Sequence, residues 1–499
     1  MAAERNEGLN RRDFMQRLGA GAVGLTMTPS ATQGATTSRP NVLIILPDEW
    51  RAQALGCMGD EDVHTPHIDR MASEGILFRH TLANTPVCCP ARANIQTGMY
   101  TSRNGMVAND LRLRESLEGM GTHFSRAGYR TAYIGKWHLD GGPRLPGFVP
   151  PGPRRHGYQA WAANECNHNY FYNWYFRDEN VPIITRRYLP EVWTDLATEF
   201  LYEGRGEQPF FLMVGLAAPH DPYIVPEDYL KRYDPKTLKM RPNWTPGVRG
   251  ASRDDIAAYY AAITAIDARI GNLMRTLKDL GLDKNTIVLF SSDHGNMLGS
   301  QGKILKRKPW EESIRVPGIL RYPRVVQGGQ QKNTLFSHVD FAPTLLSLCG
   351  INVPADMQGT DLSKVVLGKT DAGPESAFFQ IFGPFHGGGI LHAWRGVRTE
   401  RYMYVRRQVQ PWVLYDLKND PYEMHNLVDD PGAASIRTEM DNKLKLWMEK
   451  IGDSWSLDWT APVEDGARLY RYRTFYTVSE YLQWAKAHPN LQPKSRRRR

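Results

Sequence analysis

The chain has 499 residues, a formal net charge of +9 at pH 7 and 41% hydrophobic residues. This length allows one large domain with a sizeable core and a smaller second domain. Much of the positive charge comes from Lys494 and Arg496–Arg499 in the basic tail, residues 486–499. The remaining body is too weakly basic for a nucleic-acid-binding surface, so we expect no nucleic-acid partner.

The N-terminus has the pattern of an export signal. The twin-arginine pair Arg11-Arg12 precedes a short apolar run, Leu18–Met27, and then a stretch of small residues that offers a cleavage region. The apolar run is too short to span a bilayer, and we expect no integral membrane segment elsewhere. An ordinary amphipathic helix is the alternative, but the pattern favours a twin-arginine signal peptide over residues 1–35 and a periplasmic or secreted bacterial protein.

Strand and helix signals alternate after this segment. Continuous apolar runs typical of buried parallel strands occupy 41–46, 209–216 and 286–290, and a short strand signal lies at 130–134. Helical periodicity lies between them, most clearly over 256–280. This alternation predicts an α/β domain over residues 36–375, with a large, mostly parallel sheet sandwiched by helices.

Titratable side chains follow each of these four strands. They are Asp48 and Glu49, then Lys136 and His138, then His220, and finally Asp293 and His294. In an open α/β sheet the carboxyl ends of parallel strands lie along one edge, where ligands bind. Taken singly, each group could be an ordinary turn residue; taken together, they predict one site.

A cysteine stretch supplies a candidate nucleophile for this site. Pro90 suits the first turn of a helix, so Cys88 is predicted to lie just before a helix N-terminus, where free N–H groups favour an anion. Arg92 adds a positive charge if the helix turns it toward Cys88. The pattern indicates a nucleophile facing sulfate or phosphate, and the structural alternative is a buried cysteine pair at a helix start.

The same stretch, continued to Thr97-Gly98, resembles the type I sulfatase signature Cys-x-Pro-x-Arg, in the alkaline phosphatase superfamily. Ala91 stands where this family usually has Ser, and Ile95-Gln96 where it usually has two apolar residues. Further motifs match in order over residues 40–430: Gly135-Lys136-Trp137-His138, Pro219-His220-Asp221-Pro222, Asp293-His294, Lys306 before Glu311-Glu312-Ser313, and Leu414-Tyr415-Asp416-Leu417.

Beyond residue 375 the pattern resembles the C-terminal subdomain of that family. An alternating segment, 395–405, predicts an antiparallel strand; 412–417 follows it, and a helix is predicted at 434–451. We therefore expect a smaller α+β subdomain on an antiparallel sheet over residues 376–485.

The resemblance also implies the chemistry. It implies that a formylglycine-generating enzyme oxidises Cys88 to formylglycine, whose hydrate attacks sulfur. It implies a divalent cation, most suitably Ca²⁺ with Mg²⁺ as the alternative, on Asp48, Glu49, Cys88, Asp293 and His294. It implies that His220 or Lys306 donates a proton to the leaving alcohol, and that His138 deprotonates the second hydroxyl of the formylglycine hydrate. It also implies that Arg92, Lys136 and Lys306 stabilise the charge on the transferring group.

These expectations define a sulfuric ester hydrolase acting on aryl or carbohydrate sulfates. A phosphonate monoester or phosphodiester hydrolase on the same scaffold is the nearer alternative. A non-catalytic binder of sulfated glycans is less favoured, because binding alone needs no proton carriers such as His138 and His220. The sequence leaves the individual sulfated substrate and the oligomeric state open.

Overall fold

A nine-stranded sheet occupies the centre of the computed structural model. The structure describes residues 39–109, 111–141, 147–204, 208–382, 393–455, 462–470 and 473–477. The predicted signal peptide and basic tail lie outside the described residues, so both stay predictions.

In chain order, the strands of the described residues are β1 (Asn41–Leu46), β2 (Ile76–Leu82), β3 (Arg130–Lys136), β4 (Ala160–Asn164), β5 (Asn173–Tyr175), β6 (Ile183–Thr185), β7 (Phe210–Gly215), β8 (Thr286–Ser291), β9 (Arg315–Val316), β10 (Gly318–Arg321), β11 (Gln330–Ser337), β12 (Ala377–Ile381), β13 (Trp394–Arg398), β14 (Tyr402–Arg407), β15 (Pro411–Asp416), β16 (Pro462–Tyr470) and β17 (Arg473–Thr477).

The α-helices of the same ranges are α1 (Pro66–Ser73), α2 (Cys88–Thr97), α3 (Thr101–Asn104), α4 (Met120–Arg126), α5 (Leu189–Glu203), α6 (Glu227–Leu230), α7 (Arg253–Asp279), α8 (Glu311–Ile314), α9 (His338–Leu348), α10 (Ser363–Val366) and α11 (Ala434–Ile451). None of these helices combines the length and the apolar character that a membrane span requires.

The central sheet is mostly parallel, as predicted. Its order is β11-β2-β10-β8-β1-β7-β3-β4, with β9 paired to β2. β1 pairs in parallel with both β7 and β8, and β3 pairs in parallel with both β4 and β7. Only β9 and β10 run against their neighbours. The carboxyl ends of β1, β3, β7 and β8 therefore lie at one edge.

Helices cover both faces of this sheet, which confirms the predicted sandwich. Alternate residues of β1 point to opposite cores: Val42, Ile44 and Leu46 pack with α2, α4 and α9. Leu43 and Ile45 pack on the other face with α1, α5 and α7. A strand buried on both faces has no polar side, which is why these strands are continuous apolar runs.

The C-terminal sheet is antiparallel, with the order β12-β13-β14-β15, and α11 packs against it. The predicted single strand over 395–405 was wrong, because a turn between Arg398 and Tyr402 divides it into β13 and β14. Thr399 Oγ1 accepts a hydrogen bond from the Tyr402 backbone N–H at 2.9 Å and stabilises this turn. The alternation of apolar and polar residues continues through the turn, so the sequence pattern did not indicate the turn.

Candidate functional site

The titratable groups predicted at the strand ends meet at one edge of the central sheet. One ligand atom from each of Asp48, Cys88, Asp293 and His294 lies within 4.8 Å of the other three. Asp48, Glu49 and His220 form a second such group. These residues come from distant parts of the chain, and the parallel strand order brings them together.

Cys88 is the first residue of α2, rather than the residue before the helix as predicted. Its Sγ atom lies 3.2 Å from His294 Nε2 and 3.8 Å from Asp48 Oδ1, and the side chain is buried. Burial and Asp48 oppose ionisation, but Lys136, Lys306 and His294 lower the pKa of the thiol well below its usual value. The surroundings of Cys88 therefore favour a negative charge at this position.

Arg92 and Lys136 are positively charged and form ion pairs with the acidic side chains of the site. Arg92 Nε lies 3.0 Å from Asp293 Oδ2, and a second guanidinium nitrogen lies 3.5 Å from Asp48 Oδ2. Lys136 Nζ donates a hydrogen bond to Asp48. Arg92 also donates to the Lys136 carbonyl at 2.8 Å, so the end of β3 helps to orient the arginine.

Close approach of β3 and β7 makes this arrangement possible. Gly135 adopts φ = 110°, and a Cβ atom there would lie 1.9 Å from the Gly215 carbonyl oxygen. A larger residue at Gly135 would separate the two strands just before Lys136.

Glu49 connects two proton-carrying side chains. Its Oε2 atom lies 2.9 Å from both Lys306 Nζ and His220 Nε2, and the latter two atoms lie 2.6 Å apart. Although burial and Lys306 oppose it, the Glu49 carboxylate raises the pKa of His220 well above its ordinary value. Glu49 thus favours the protonated form of His220, which is the form that a leaving-group acid requires.

The donor set fits a hard divalent cation. Asp48, Glu49 and Asp293 are fully buried carboxylates, and Glu49 Oε1 has no hydrogen-bond partner among the described residues. An orphaned buried carboxylate oxygen is costly, and a cation would satisfy it. Glu49 also adopts φ = 70°, which is rare for a residue with a side chain and is typical of functional sites.

His138 follows β3 at the same edge of the sheet and is buried. Burial and Asp140 raise the pKa of Glu165 to about 8, and His138 opposes this rise. His138 is thus within electrostatic reach of Glu165, the residue that follows β4. Its role as a proton acceptor stays a prediction.

His168 belongs to the site. The sequence indicates it only as one of several plausible pocket residues in a strongly aromatic stretch, 161–175, with local aromatic packing as the alternative. Its Nε2 atom lies 3.3 Å from Lys136 Nζ, and its ring stacks on that of His220 with centroids 3.9 Å apart. Burial and His220 lower the pKa of His168 to about 4, so His168 favours its neutral form in the stacked pair. The available signal was this aromatic, loop-like stretch, because long loops on such a scaffold commonly form the substrate pocket.

Cys88 is buried among carboxylates, and Arg92, Lys136 and Lys306 add positive charge around them. This arrangement suits a displacement reaction at a tetrahedral anionic ester. The fold and the site thus define a class: α/β hydrolases of oxyanion esters.

Comparison with known proteins identifies the family within this class. The family model described as sulfatase matches residues 40–351, and that of the N-sulphoglucosamine sulphohydrolase C-terminal region matches residues 299–450. An ulvan-active sulfatase of Formosa agariphila is 37% identical over 84% of this chain and 83% of its own length. An endo-4-O-sulfatase of Bacteroides thetaiotaomicron is 30% identical over 83% of this chain and 93% of its own length.

A solved Bacteroides fragilis structure, described as a sulfatase, superposes with a TM-score of 0.78 at 30% identity. It covers 85% of this chain and 99% of the solved chain. The chain belongs to the sulfatase family and is a sulfuric ester hydrolase.

Proposed function

We propose that this sulfatase removes sulfate groups from a sulfated carbohydrate, with Cys88 as the nucleophilic position after conversion to formylglycine. The observation that carries the proposal is the position of Cys88 Sγ, 3.2 Å from His294 Nε2 and beside Asp48. The carbohydrate preference is supported by the named activities of the relatives, an ulvan-active sulfatase and an endo-4-O-sulfatase.

Asp48, Glu49, Asp293 and His294 are the residues proposed to hold a divalent cation together with position 88. Buried carboxylate oxygens favour Ca²⁺, with Mg²⁺ as the alternative. When bound, the cation would polarise the sulfate oxygens and favour the ionised nucleophile. The formylglycine aldehyde would supply a nucleophile that can be regenerated after each turnover.

The remaining side chains would stabilise negative charge and transfer protons. Arg92 holds Asp293 in place, and Lys136 neutralises Asp48, so both support the anionic sulfate. His220, protonated beside Glu49, is proposed to donate to the leaving alcohol, with Lys306 as its partner. His138 is proposed as the proton acceptor that allows sulfate to leave.

The test is sulfate release by protein co-expressed with a formylglycine-generating enzyme. Cys88→Ala should abolish hydrolysis of both 4-nitrophenyl sulfate and sulfated disaccharides. Cys89→Ala is the matched control, because Cys89, the second residue of α2, is buried in the apolar core and should be dispensable for turnover. Tandem mass spectrometry of the Cys88 peptide should show loss of sulfur and gain of an aldehyde. Full activity in Cys88→Ala would overturn the assignment.

The phosphonate or phosphodiester alternative predicts a different preference. The ratio of kcat/KM for sulfate and phosphonate monoesters decides between the two activities. A ratio that favours the sulfate ester supports the proposal, and a higher kcat/KM for the phosphonate contradicts it.

We further propose twin-arginine export to the periplasm or beyond, on the basis of Arg11-Arg12 and the apolar run that follows. Replacement of both arginines by lysine should retain the full-length protein in the cytoplasm, as measured by cell fractionation. Unchanged export of that variant would exclude this route.

A further inference from the structure

A short hairpin lies beside the site, between β4 and α5. Its strands β5 and β6 pair in antiparallel fashion, and an isolated bridge from Ala163 to Phe176 joins the segment to β4. Asn169 Oδ1 accepts hydrogen bonds from the backbone N–H groups of Phe171 and Tyr172, at 3.4 and 3.1 Å. These two hydrogen bonds therefore stabilise the backbone turn that leads into the hairpin.

One side of this segment contacts the proposed catalytic residues. The His168 ring stacks on His220, and the Tyr170 hydroxyl donates to the His220 carbonyl at 2.6 Å. Tyr172 follows His168 by four residues, so their Cα atoms are at most about 14 Å apart. Tyr172 is thus within the length of a short oligosaccharide bound at the site.

The other side of the segment is exposed and apolar. Of the twelve large hydrophobic side chains that are exposed among the described residues, five lie between positions 171 and 184. They are Phe171, Tyr172, Val181, Ile183 and Ile184. Scattered exposed apolar residues need no explanation, but several within one short segment that also contacts the proposed site are typical of a ligand-binding surface.

A positive charge accompanies this aromatic surface. The Arg186 guanidinium carbon lies 5.9 Å from the centre of the Tyr172 ring. The neighbouring Arg187 instead pairs with Asp195 at 2.5 Å. An aromatic face suits the apolar face of a sugar ring, and a guanidinium group suits a carboxylate or a sulfate. The pair therefore complements an anionic sugar.

We propose that Phe171, Tyr172 and Arg186 form a subsite for an anionic sugar unit next to the unit that loses its sulfate. The inference rests on the proposed carbohydrate sulfatase function and extends it to the substrate class, an acidic polysaccharide. Small sulfate esters such as 4-nitrophenyl sulfate do not reach this subsite.

The test compares substrates that differ only in length and in the charge of the neighbouring sugar. Tyr172→Ala should raise KM at least about tenfold for a sulfated oligosaccharide with an acidic neighbour, and kcat/KM for 4-nitrophenyl sulfate should stay within about twofold. Arg186→Gln should raise KM when the neighbour carries a carboxylate or a sulfate, but not when it is neutral. Tyr172→Phe and Arg187→Gln are the matched controls and should resemble the wild type.

Binding measurements separate this inference from the proposed function. Calorimetric titration of the Cys88→Ala protein with the same oligosaccharides reports the subsite without any turnover. Weaker binding in the double variant Cys88→Ala/Tyr172→Ala supports the subsite, even if the wild type releases no sulfate. Equal affinity of both proteins for every oligosaccharide, or an equal loss of kcat/KM on the long and the small substrates, would overturn it.

Discussion

Glu423, in the C-terminal part of the chain, accepts a hydrogen bond on Oε2 from the backbone N–H of Glu311 at 2.9 Å. Gln301 Nε2 donates to the backbone carbonyl of Glu423 at 2.8 Å. Residues 301 and 311 flank Lys306, so one C-terminal segment holds both ends of the loop that carries this lysine. The C-terminal subdomain thereby contributes to the geometry of the site without supplying a group to it.

We predict that Glu423→Gln is tolerated and Glu423→Ala is not. Burial, together with Glu312 and Glu311, raises the pKa of Glu423 well above its usual value, which favours the neutral carboxyl group and makes Gln a close substitute. Ala would leave the buried Glu311 N–H without its acceptor, which costs about 1–3 kcal/mol. The free energy of unfolding, measured with urea, and kcat should both change in Glu423→Ala and stay at the wild-type values in Glu423→Gln. Equal destabilisation by Gln and Ala would show that Glu423 is ionised.

His220→Asn should slow the hydrolysis of sugar sulfates more than that of 4-nitrophenyl sulfate. A nitrophenolate leaves without a proton, whereas a sugar alkoxide needs one, and general acid catalysis contributes about 10²–10⁴-fold. The measurement is the ratio of kcat on the two substrates in the wild type and the variant. If both rates fall by the same factor, His220 does not act on the leaving group.

Removal of divalent cations should lower both the melting temperature and the activity, and Ca²⁺ should restore them. A cation that binds only the folded protein stabilises it by about 2.7 kcal/mol at one hundred times its Kd. Asp293→Asn should reduce the rise in melting temperature on addition of Ca²⁺, since it removes one buried carboxylate from the donor set. A melting temperature that does not respond to chelator or Ca²⁺ would argue against a cation at this site.

The stability of the protein should fall as the pH rises from about 4 to 7, in part through Asp267. Burial raises the pKa of Asp267 to about 7, although its carboxylate accepts backbone hydrogen bonds from His67 and Ile68. The folded state thus binds a proton that the unfolded state, with a pKa of about 3.9, has already lost. The associated change in the free energy of unfolding is at most about 4 kcal/mol.

Asp267→Asn should flatten this dependence, as measured by urea unfolding at pH 5 and pH 7.5. Asp254→Asn, at an exposed position in the first turn of the same helix, is the control and should retain the wild-type slope. The same slope in Asp267→Asn and the wild type would mean that Asp267 titrates normally.

Local patterns in the sequence were sufficient to predict β1, β3, β7 and β8 and the residues that follow them, but not β2, β4 and β11 of the same sheet. A run such as 41–46 is apolar because the strand is buried on both faces, and α11 shows the periodicity of a helix with one buried side. The motif around Cys88 is also local, so this candidate for the nucleophilic position could be named without coordinates.

Tertiary structure alone decided which of these groups are partners. Glu49 meets His220 and Lys306, and His168 stacks on His220, because strand order and loop packing bring distant segments together. The turn that separates β13 from β14 and the contact of Glu423 with Glu311 were likewise not visible in any local pattern. Periodicity reports whether a residue is buried, but the identity of its neighbours depends on how the whole chain packs.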